Sequence, residues 1–248
     1  MMKGAKKAIL FIIVAAFWLA VWQGAAALVG SELLLPTPFS VLKTLFGLVK
    51  TAKFRQSLLH TLLRVLAGFS LGIIAGTLLG TLTAASKLFS AFLSPLRSMI
   101  KATPVTSFIV LLLLYFSPTV TPVAVSFLMV MPIAWANVSK GITETDPQLL
   151  EMAKVYRLGG VKTLLSIYIP SVLPHFLTAA TTGFGFAWKS CVAAEVIAMS
   201  KLSIGKALYE SKLYLETPQL FAWTAAIIVM SMLLEAIIVK LLGRLKKW

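Results

Sequence analysis

Long apolar runs without a single charged side chain divide this sequence. A transmembrane helix needs about 20 apolar residues to cross a hydrocarbon layer about 30 Å thick. Four charge-free stretches each fit one such helix, and a fifth, between Lys101 and Lys140, fits most of two helices joined by a turn at Ser117-Pro118. The pattern therefore predicts six membrane-spanning helices, over residues 8–30, 57–82, 90–116, 119–140, 164–198 and 218–242.

Composition supports a membrane environment for these helices. The chain is 59% hydrophobic and only 12% charged, whereas a soluble domain usually has about 25% charged residues. Too little charge is available to cover a soluble surface, so we expect an all-α integral membrane protein. The net charge of +15 fits the excess of Lys and Arg in cytoplasmic loops. Attraction of an anionic substrate is the competing interpretation, and no clustered basic face points to a nucleic-acid partner.

The positions of Lys and Arg predict the orientation. Three lysines precede the first apolar run, and the last nine residues include Lys240, Arg244, Lys246 and Lys247. The segment between the fourth and fifth spans is also basic. The positive-inside rule then predicts a multi-pass protein of the cell membrane with both termini in the cytoplasm. The first apolar run resembles a signal peptide, but its length favours a retained transmembrane helix.

The segment 31–56 is external in this orientation, although it carries four basic residues and only one acidic residue. It begins Leu35-Pro36-Thr37-Pro38, and the apolar residues after this start recur at helical spacing. This pattern is typical of an amphipathic helix that lies on the membrane surface.

The segment 141–174 is the longest polar-rich stretch between two spans. Asp146 followed by Pro147 is a favourable helix start. We predict a short helix over about 147–158, which Gly159-Gly160 would end. Helical spacing gives it one apolar side, formed by Leu149, Leu150, Ala153 and Tyr156. From the residues alone, such a helix serves equally well to lie on a membrane or to dock a partner.

Glu151-Met152-Ala153, followed by Tyr168-Ile169-Pro170, resembles the EAA loop of permease subunits of ABC importers. The family pattern places a glycine six residues after the glutamate and an apolar-Pro pair that ends nineteen residues after it. Glu151 and Pro170 keep this spacing, whereas Arg157 occupies the position of the glycine. Further similarity to the nitrate, sulfonate and taurine branch lies in Leu35-Pro36-Thr37-Pro38, 61–65, the glycines at 68, 72, 76 and 80, Lys101-Ala102-Thr103-Pro104, 187–189 and 193–195.

The resemblance implies a type I ABC importer permease (MetI-like) fold and several partners. It implies a homodimer of permease subunits in the bilayer, a cytoplasmic ABC ATPase and an extracytoplasmic substrate-binding protein. ATP would bind to the ATPase, since this chain has no phosphate-binding loop of its own. The residues implied in coupling to the ATPase are Pro147, Leu150, Glu151, Ala153, Tyr156, Gly159 and Gly160. We divide the chain into 1–56, a first transmembrane helix with an external amphipathic segment, and 57–243, a permease domain.

Polar residues within the predicted spans are candidates for the translocation path, because charges at membrane depth face cavities or each other. The candidates are Thr103, Pro104, Trp188, Lys189 and Glu195. Six residues separate Lys189 from Glu195, so a direct pair within one helix is not expected. The alternative is that both lie near the outer interface. Arg97 and Lys101 would snorkel at the inner end of the third span.

Four glycines in the second span, at 68, 72, 76 and 80, form a small-residue stripe that favours close helix packing over substrate contact. No catalytic cluster and no metal-ligand spacing occurs, and we expect neither enzymatic activity nor a bound cofactor. By resemblance the substrate is a small anion such as a sulfonate, taurine or nitrate. Import of a pyrimidine or a vitamin precursor is the alternative, and an ion-driven secondary transporter is the second alternative, although no internal repeat supports it.

Overall fold

The computed structural model describes residues 2–245 and consists of helices and their connections over that range. Lys246 and Lys247, which entered the orientation prediction, lie outside the described residues. The helices are α1 (Met2–Val29), α2 (Pro38–Val49), α3 (Ala52–Ala85), α4 (Lys87–Ala102), α5 (Val105–Leu113), α6 (Thr121–Thr143), α7 (Pro147–Val155), α8 (Gly160–Thr163), α9 (Ile169–Ala198), α10 (Ile204–Leu213) and α11 (Thr217–Leu245). A π-helical turn, Leu164–Tyr168, joins α8 to α9.

Five of the described helical segments are long and apolar enough to cross a membrane: α1, α3, α6, the continuous stretch from α8 through α9, and α11. These segments confirm five of the six predicted spans. The remaining one, the third span predicted over 90–116, is wrong as a continuous helix, because α4 and α5 meet at an angle of 99°. The fold class predicted from the sequence, an all-α membrane protein, is confirmed.

The break between α4 and α5 lies at Thr103-Pro104. Pro104 cannot donate a backbone hydrogen bond to the preceding turn, and it disfavours helical geometry in the residue before it. Thr103 is accordingly extended and its hydroxyl donates to the carbonyl of Met99 at 2.8 Å. Pro104 then occupies the first position before α5. Pro104 therefore lies at the 99° change in direction between α4 and α5.

Four glycines on α3 allow it to pack closely along α6. Cβ atoms built at Gly68, Gly72, Gly76 and Gly80 would each lie 2.4–2.9 Å from an atom of α6. The contacts advance together from Val123 and Ser126 to Val138 and Ser139, so the two helices run parallel. This confirms the packing role predicted for the glycine stripe.

The main core lies where α9 and α11 pack against the N-terminal part of α3. It is built from fully buried aromatic and small residues, including Phe184, Trp188, Cys191 and Trp223. The rings of Phe54 and Trp223 stack with centroids 5.2 Å apart. The amphipathic helix expected in the external segment is present as α2, which begins with Thr37 as N-cap and packs mainly against α11.

Candidate functional site

The short helix α7 begins as its sequence predicts. The carboxylate of Asp146 accepts a hydrogen bond from the backbone N–H of Gln148 at 2.8 Å, and Pro147 is the first helical residue. This cap satisfies one of the backbone donors that the first turn of a helix leaves free. The helix stands between α6 and α8, on the side of the molecule where α6 ends and α9 begins.

The end of α7 differs from the prediction. The helix ends at Val155, and the residue that reverses the chain is Arg157, whose φ of 50° is left-handed. The N–H of Leu158 donates to the carbonyl of Ala153 at 2.9 Å, and the N–H of Arg157 donates to that of Lys154 at 3.1 Å. These two bonds form a Schellman motif. Gly159 has an ordinary φ of −63° and precedes the next helix, so Gly159-Gly160 do not end α7.

The left-handed turn explains the position at which the sequence departs from the family pattern. Glycine adopts a positive φ without steric cost, whereas a residue with a Cβ atom pays about 1–2 kcal/mol. Arg157 stands six residues after Glu151, where the pattern has glycine, and its φ of 50° is one that glycine adopts readily. The turn is thus retained with a less favourable residue.

Replacing Arg157 by glycine is expected to strengthen this turn by about 0.5–1 kcal/mol, the steric gain less the larger entropy loss of glycine. Hydrogen–deuterium exchange of the peptide over 154–162 measures it, and the amide of Leu158 should exchange about two to five times more slowly. Arg157→Ala is the control, because alanine also has a Cβ atom and should leave the rate unchanged. Faster exchange in the glycine variant would contradict the assignment.

The two sides of α7 have different surroundings. Ala153 is buried and Leu150 is half-buried, so these residues face the protein. The exposed residues include apolar side chains, with Val155 80% and Tyr156 73% exposed, and the polar side chains of Gln148, Glu151 and Lys154. Packing divides the apolar side predicted from the sequence: Leu150 and Ala153 are covered, while Leu149 and Tyr156 are exposed together with Met152 and Val155. Pro147, Glu151, Gly159 and Gly160 are also exposed.

A buried ion pair joins α3, α9 and the start of α10. The carboxylate of Glu195, which has no exposed surface, accepts from Arg64 Nη1 at 2.7 Å and from Thr61 Oγ1 at 2.8 Å. The N–H of Gly205 donates to the same carboxylate at 3.3 Å, and Arg64 Nη2 donates to the carbonyl of Lys201 at 2.8 Å. Both carboxylate oxygens of Glu195 and both terminal nitrogens of the Arg64 guanidinium therefore have a partner, which is what a buried pair needs.

Gly205 is required for this arrangement. A Cβ atom at Gly205 would lie 2.5 Å from Cβ of Glu195 and 2.6 Å from the backbone nitrogen of Val196. The network and this close contact fix α10 against the N-terminal part of α3 and the C-terminal end of α9. Sequence reasoning missed Thr61 and Arg64 as partners of Glu195. The available signal was that Arg64 is a lone charge close to an apolar run, as Glu195 is.

The remaining predicted path residues occupy different environments. Trp188 is buried in the core together with Glu195, and a side chain enclosed by its own chain presents no surface to a path, which corrects both predictions. Lys189 and Pro104 are exposed and Thr103 is half-buried. Lys189 and Glu195 do not pair, as the six-residue spacing predicts. Thr103 and Pro104 lie at the break between α4 and α5.

A bundle of apolar spanning helices with a capped helix exposed at one end is the architecture of a membrane transport subunit. The comparison with protein families identifies the class: the model for the binding-protein-dependent transport system inner membrane component matches residues 68–247. The chain belongs to this family. It is a transmembrane permease subunit of a binding-protein-dependent ABC importer.

Curated relatives cover almost the whole chain. The putative aliphatic sulfonates transport permease protein SsuC of Bacillus subtilis is 26% identical over 232 residues, which are 93% of this chain and 84% of that protein. SsuC of Escherichia coli is 28% identical, covering 90% and 82%. The taurine transport system permease protein TauC of Escherichia coli is 25% identical, covering 93% and 86%. This chain is similar to permeases named for sulfonates.

Proposed function

We propose that two copies of this chain form the membrane path for a small anion, with aliphatic sulfonates as the substrate class that its relatives favour. An extracytoplasmic binding protein delivers the substrate, and a separate ATPase subunit binds ATP. In this proposal α7 docks on the ATPase and transmits its movement to the spanning helices. The observation that carries the proposal is the uncovered apolar face of α7.

This face has the features of a protein contact rather than of a solvated surface. Leu149, Met152, Val155 and Tyr156 are contiguous on a helix whose opposite side is seated on the protein. Tyrosine is among the residue types enriched at the few interface positions that carry most of the binding energy. A helix that lays its apolar face in a groove is a recurrent mode of recognition.

The charges around α7 support a cytoplasmic location for it. Lys140, Lys154, Arg157 and Lys162 all lie in or next to the segment from the end of α6 to α8. The positive-inside rule assigns such a segment to the cytoplasm. The ATPase side, both termini and α7 then lie on the same side of the membrane, and α10 lies on the other.

The test is co-purification of an ABC ATPase with the tagged full-length chain from mildly solubilised native membranes. We expect the wild type to retain the ATPase and Tyr156→Asp to lose at least about nine-tenths of it, because a buried charge replaces an interface aromatic at a cost of about 2 kcal/mol or more. Mass spectrometry identifies and quantifies the partner.

The chain supplies a matched control in Tyr214, which caps the C-terminus of α10 at the other end of the molecule. Tyr214 is 70% exposed, and Leu215 after it has a left-handed φ of 57°, so its local structure repeats that of Tyr156 and Arg157. Tyr214→Asp should leave ATPase recovery unchanged. The proposal fails when no ATPase accompanies the wild type, or when both variants lose it equally.

A further inference from the structure

One side of α4 carries a compact group of polar residues, Ser94, Arg97, Ser98 and Lys101, which we call the α4 quartet. They are three or four residues apart, and residues at this spacing are neighbours on one face of a helix. Three of the four are exposed and Arg97 is half-buried. The opposite side of α4 is apolar and exposed, with Leu88, Phe92 and Met99.

Neither cation of the α4 quartet has a carboxylate partner. The ion pairs among the described residues join other groups, and no acidic residue occurs between Glu32 and Glu144. The guanidinium of Arg97 instead lies over the ring of Trp135, with Cζ 5.6 Å from the centroid. A cation–π contact of this kind uses the face of the guanidinium. The guanidinium N–H groups of Arg97 have no hydrogen-bond partner among the described residues, so they are available to a ligand.

Contacts with α6 give the depth of the quartet. Arg97 is level with Trp135, and Ile109 on α5 packs with Val125 near the other end of α6. Helix α4 starts directly after the end of α3 and has reached Trp135 by Arg97, and Lys101 lies one turn further along the same helix, so it is at least as deep as Trp135, about 12 Å before the end of α6. That level lies within the length of a membrane-spanning helix rather than beyond its end.

An exposed, unpaired lysine at this depth is costly in lipid and is found where it faces a water-filled cavity. Anionic lipid headgroups lie at the bilayer surface, about 15 Å from its centre, and are out of reach of a group at this level. The occupant that fits is an anion inside an aqueous path. Two cations and two hydroxyls supply charge and hydrogen-bond donors for an oxyanion group.

We propose that the α4 quartet is a binding site for the oxyanion group of the transported solute, a sulfonate or a group of similar chemistry, on the wall of the path. The inference rests on the proposed function, because the path is completed by the second copy. Arg97 is the positioned donor, Lys101 is the mobile charge, and the serine hydroxyls complete the set of donors. The apolar opposite side of α4 is then left to contact lipid or the partner copy.

Cysteine accessibility tests this site without any partner protein. The only native cysteine, Cys191, is fully buried and is replaced by alanine. Ser98→Cys in this background, in vesicles, is treated with 2-sulfonatoethyl methanethiosulfonate, which itself carries an aliphatic sulfonate, or with its cationic trimethylammonium analogue. The measured quantity is the rate of reaction with the sulfonate reagent divided by the rate with the cationic reagent. We expect this ratio to be about ten-fold higher at the introduced cysteine than for free cysteine in solution, because the quartet concentrates anions.

Lys101→Gln and Arg97→Gln should each remove most of this preference, and Lys101→Arg should retain it. Lys87→Gln is the matched control, since Lys87 lies on the same helix at its inner end and should change the ratio less than two-fold. Reaction with neither reagent would place Ser98 in lipid and overturn the proposal, as would equal rates. A preference that disappears when phosphatidylglycerol is added to phosphatidylcholine vesicles would assign the site to headgroups and overturn it too.

The outcome is separable from that of the proposed function. ATPase co-purification reports on α7 and is unaffected by Lys101→Gln, which lies on a different helix. Loss of the ATPase contact with retained sulfonate preference would refute the docking role alone. Retained ATPase contact with equal reagent rates would refute the anion site alone.

Discussion

Arg64→Met is expected to lower the free energy of unfolding by about 3–5 kcal/mol, because it leaves the carboxylate of Glu195 buried without its counter-charge. The pair is enclosed, with side-chain exposures of 8% and 0%, and its N–O distance is 2.7 Å. Methionine preserves most of the apolar volume of the arginine side chain, so the loss reports on charge rather than on a cavity. Unfolding of the purified protein by SDS in mixed micelles measures the change.

Two comparisons separate the buried charge from other effects. Arg64→Met/Glu195→Gln should recover at least half of the loss, because the amide oxygen still accepts from Thr61 and Gly205 while the unpaired charge is gone. Lys53→Met is the control on the exposed pair between α3 and α10, where Lys53 Nζ lies 3.0 Å from Glu210. The hydrogen bond from Lys53 lowers the pKa of the Glu210 carboxyl. An exposed pair contributes about 0–1 kcal/mol, so a Lys53→Met loss as large as that of Arg64→Met would contradict the account.

Gly76→Ala is expected to cost about 1–3 kcal/mol by overpacking the contact between α3 and α6. The added Cβ atom would lie 2.4 Å from the carbonyl oxygen of Met131 and 2.6 Å from Cβ of Ala134. Both atoms belong to a helix that is itself packed against α9, so the backbone of α6 must shift to admit the methyl group. The same SDS titration, with the yield of monodisperse protein, reports the effect.

Gly24→Ala provides the matched control for this substitution. Gly24 lies in the spanning helix α1, and a Cβ atom there meets nothing within 4 Å. Alanine has the higher helix propensity, so the control should be neutral or slightly stabilising. Equal destabilisation by both variants would show that the loss at Gly76 arises from something other than close packing.

Features set by local chemistry could be predicted from the sequence. The apolar runs predict the spanning helices because each run must cover the thickness of the hydrocarbon. The glycines of α3 predict the close packing with α6 because only a helix without side chains on one stripe approaches so near. Asp146 and Pro147 predict the start of α7, since the cap bond lies within three residues.

Features set by distant contacts could not be predicted in the same way. The partners of Glu195 are 131 and 134 residues away in the chain, and a single sequence contains no distances. Leu150 and Ala153 share an apolar stripe with Leu149 and Tyr156, but only the packing of α7 decides which residues are covered. The left-handed turn at Arg157 was concealed for a different reason, because arginine is not a residue that marks such a turn.

The glycine contacts hold α3 and α6 together, and we expect the two helices to move as one rigid body. The four contacts extend over twelve residues, about 18 Å of helix, and each glycine is interlocked with an atom of α6, so sliding of one helix past the other is blocked. Because α6 leads directly into α7 through Asp146, a movement of the exposed helix α7 would tilt α3 and α6 together. A tilt of about 10° about one end of α6, which is about 34 Å long, would displace its other end by about 6 Å. In the proposed docking of α7 on an ATPase, a tilt of a few degrees at one end of α6 would displace residues at its opposite end by several ångströms.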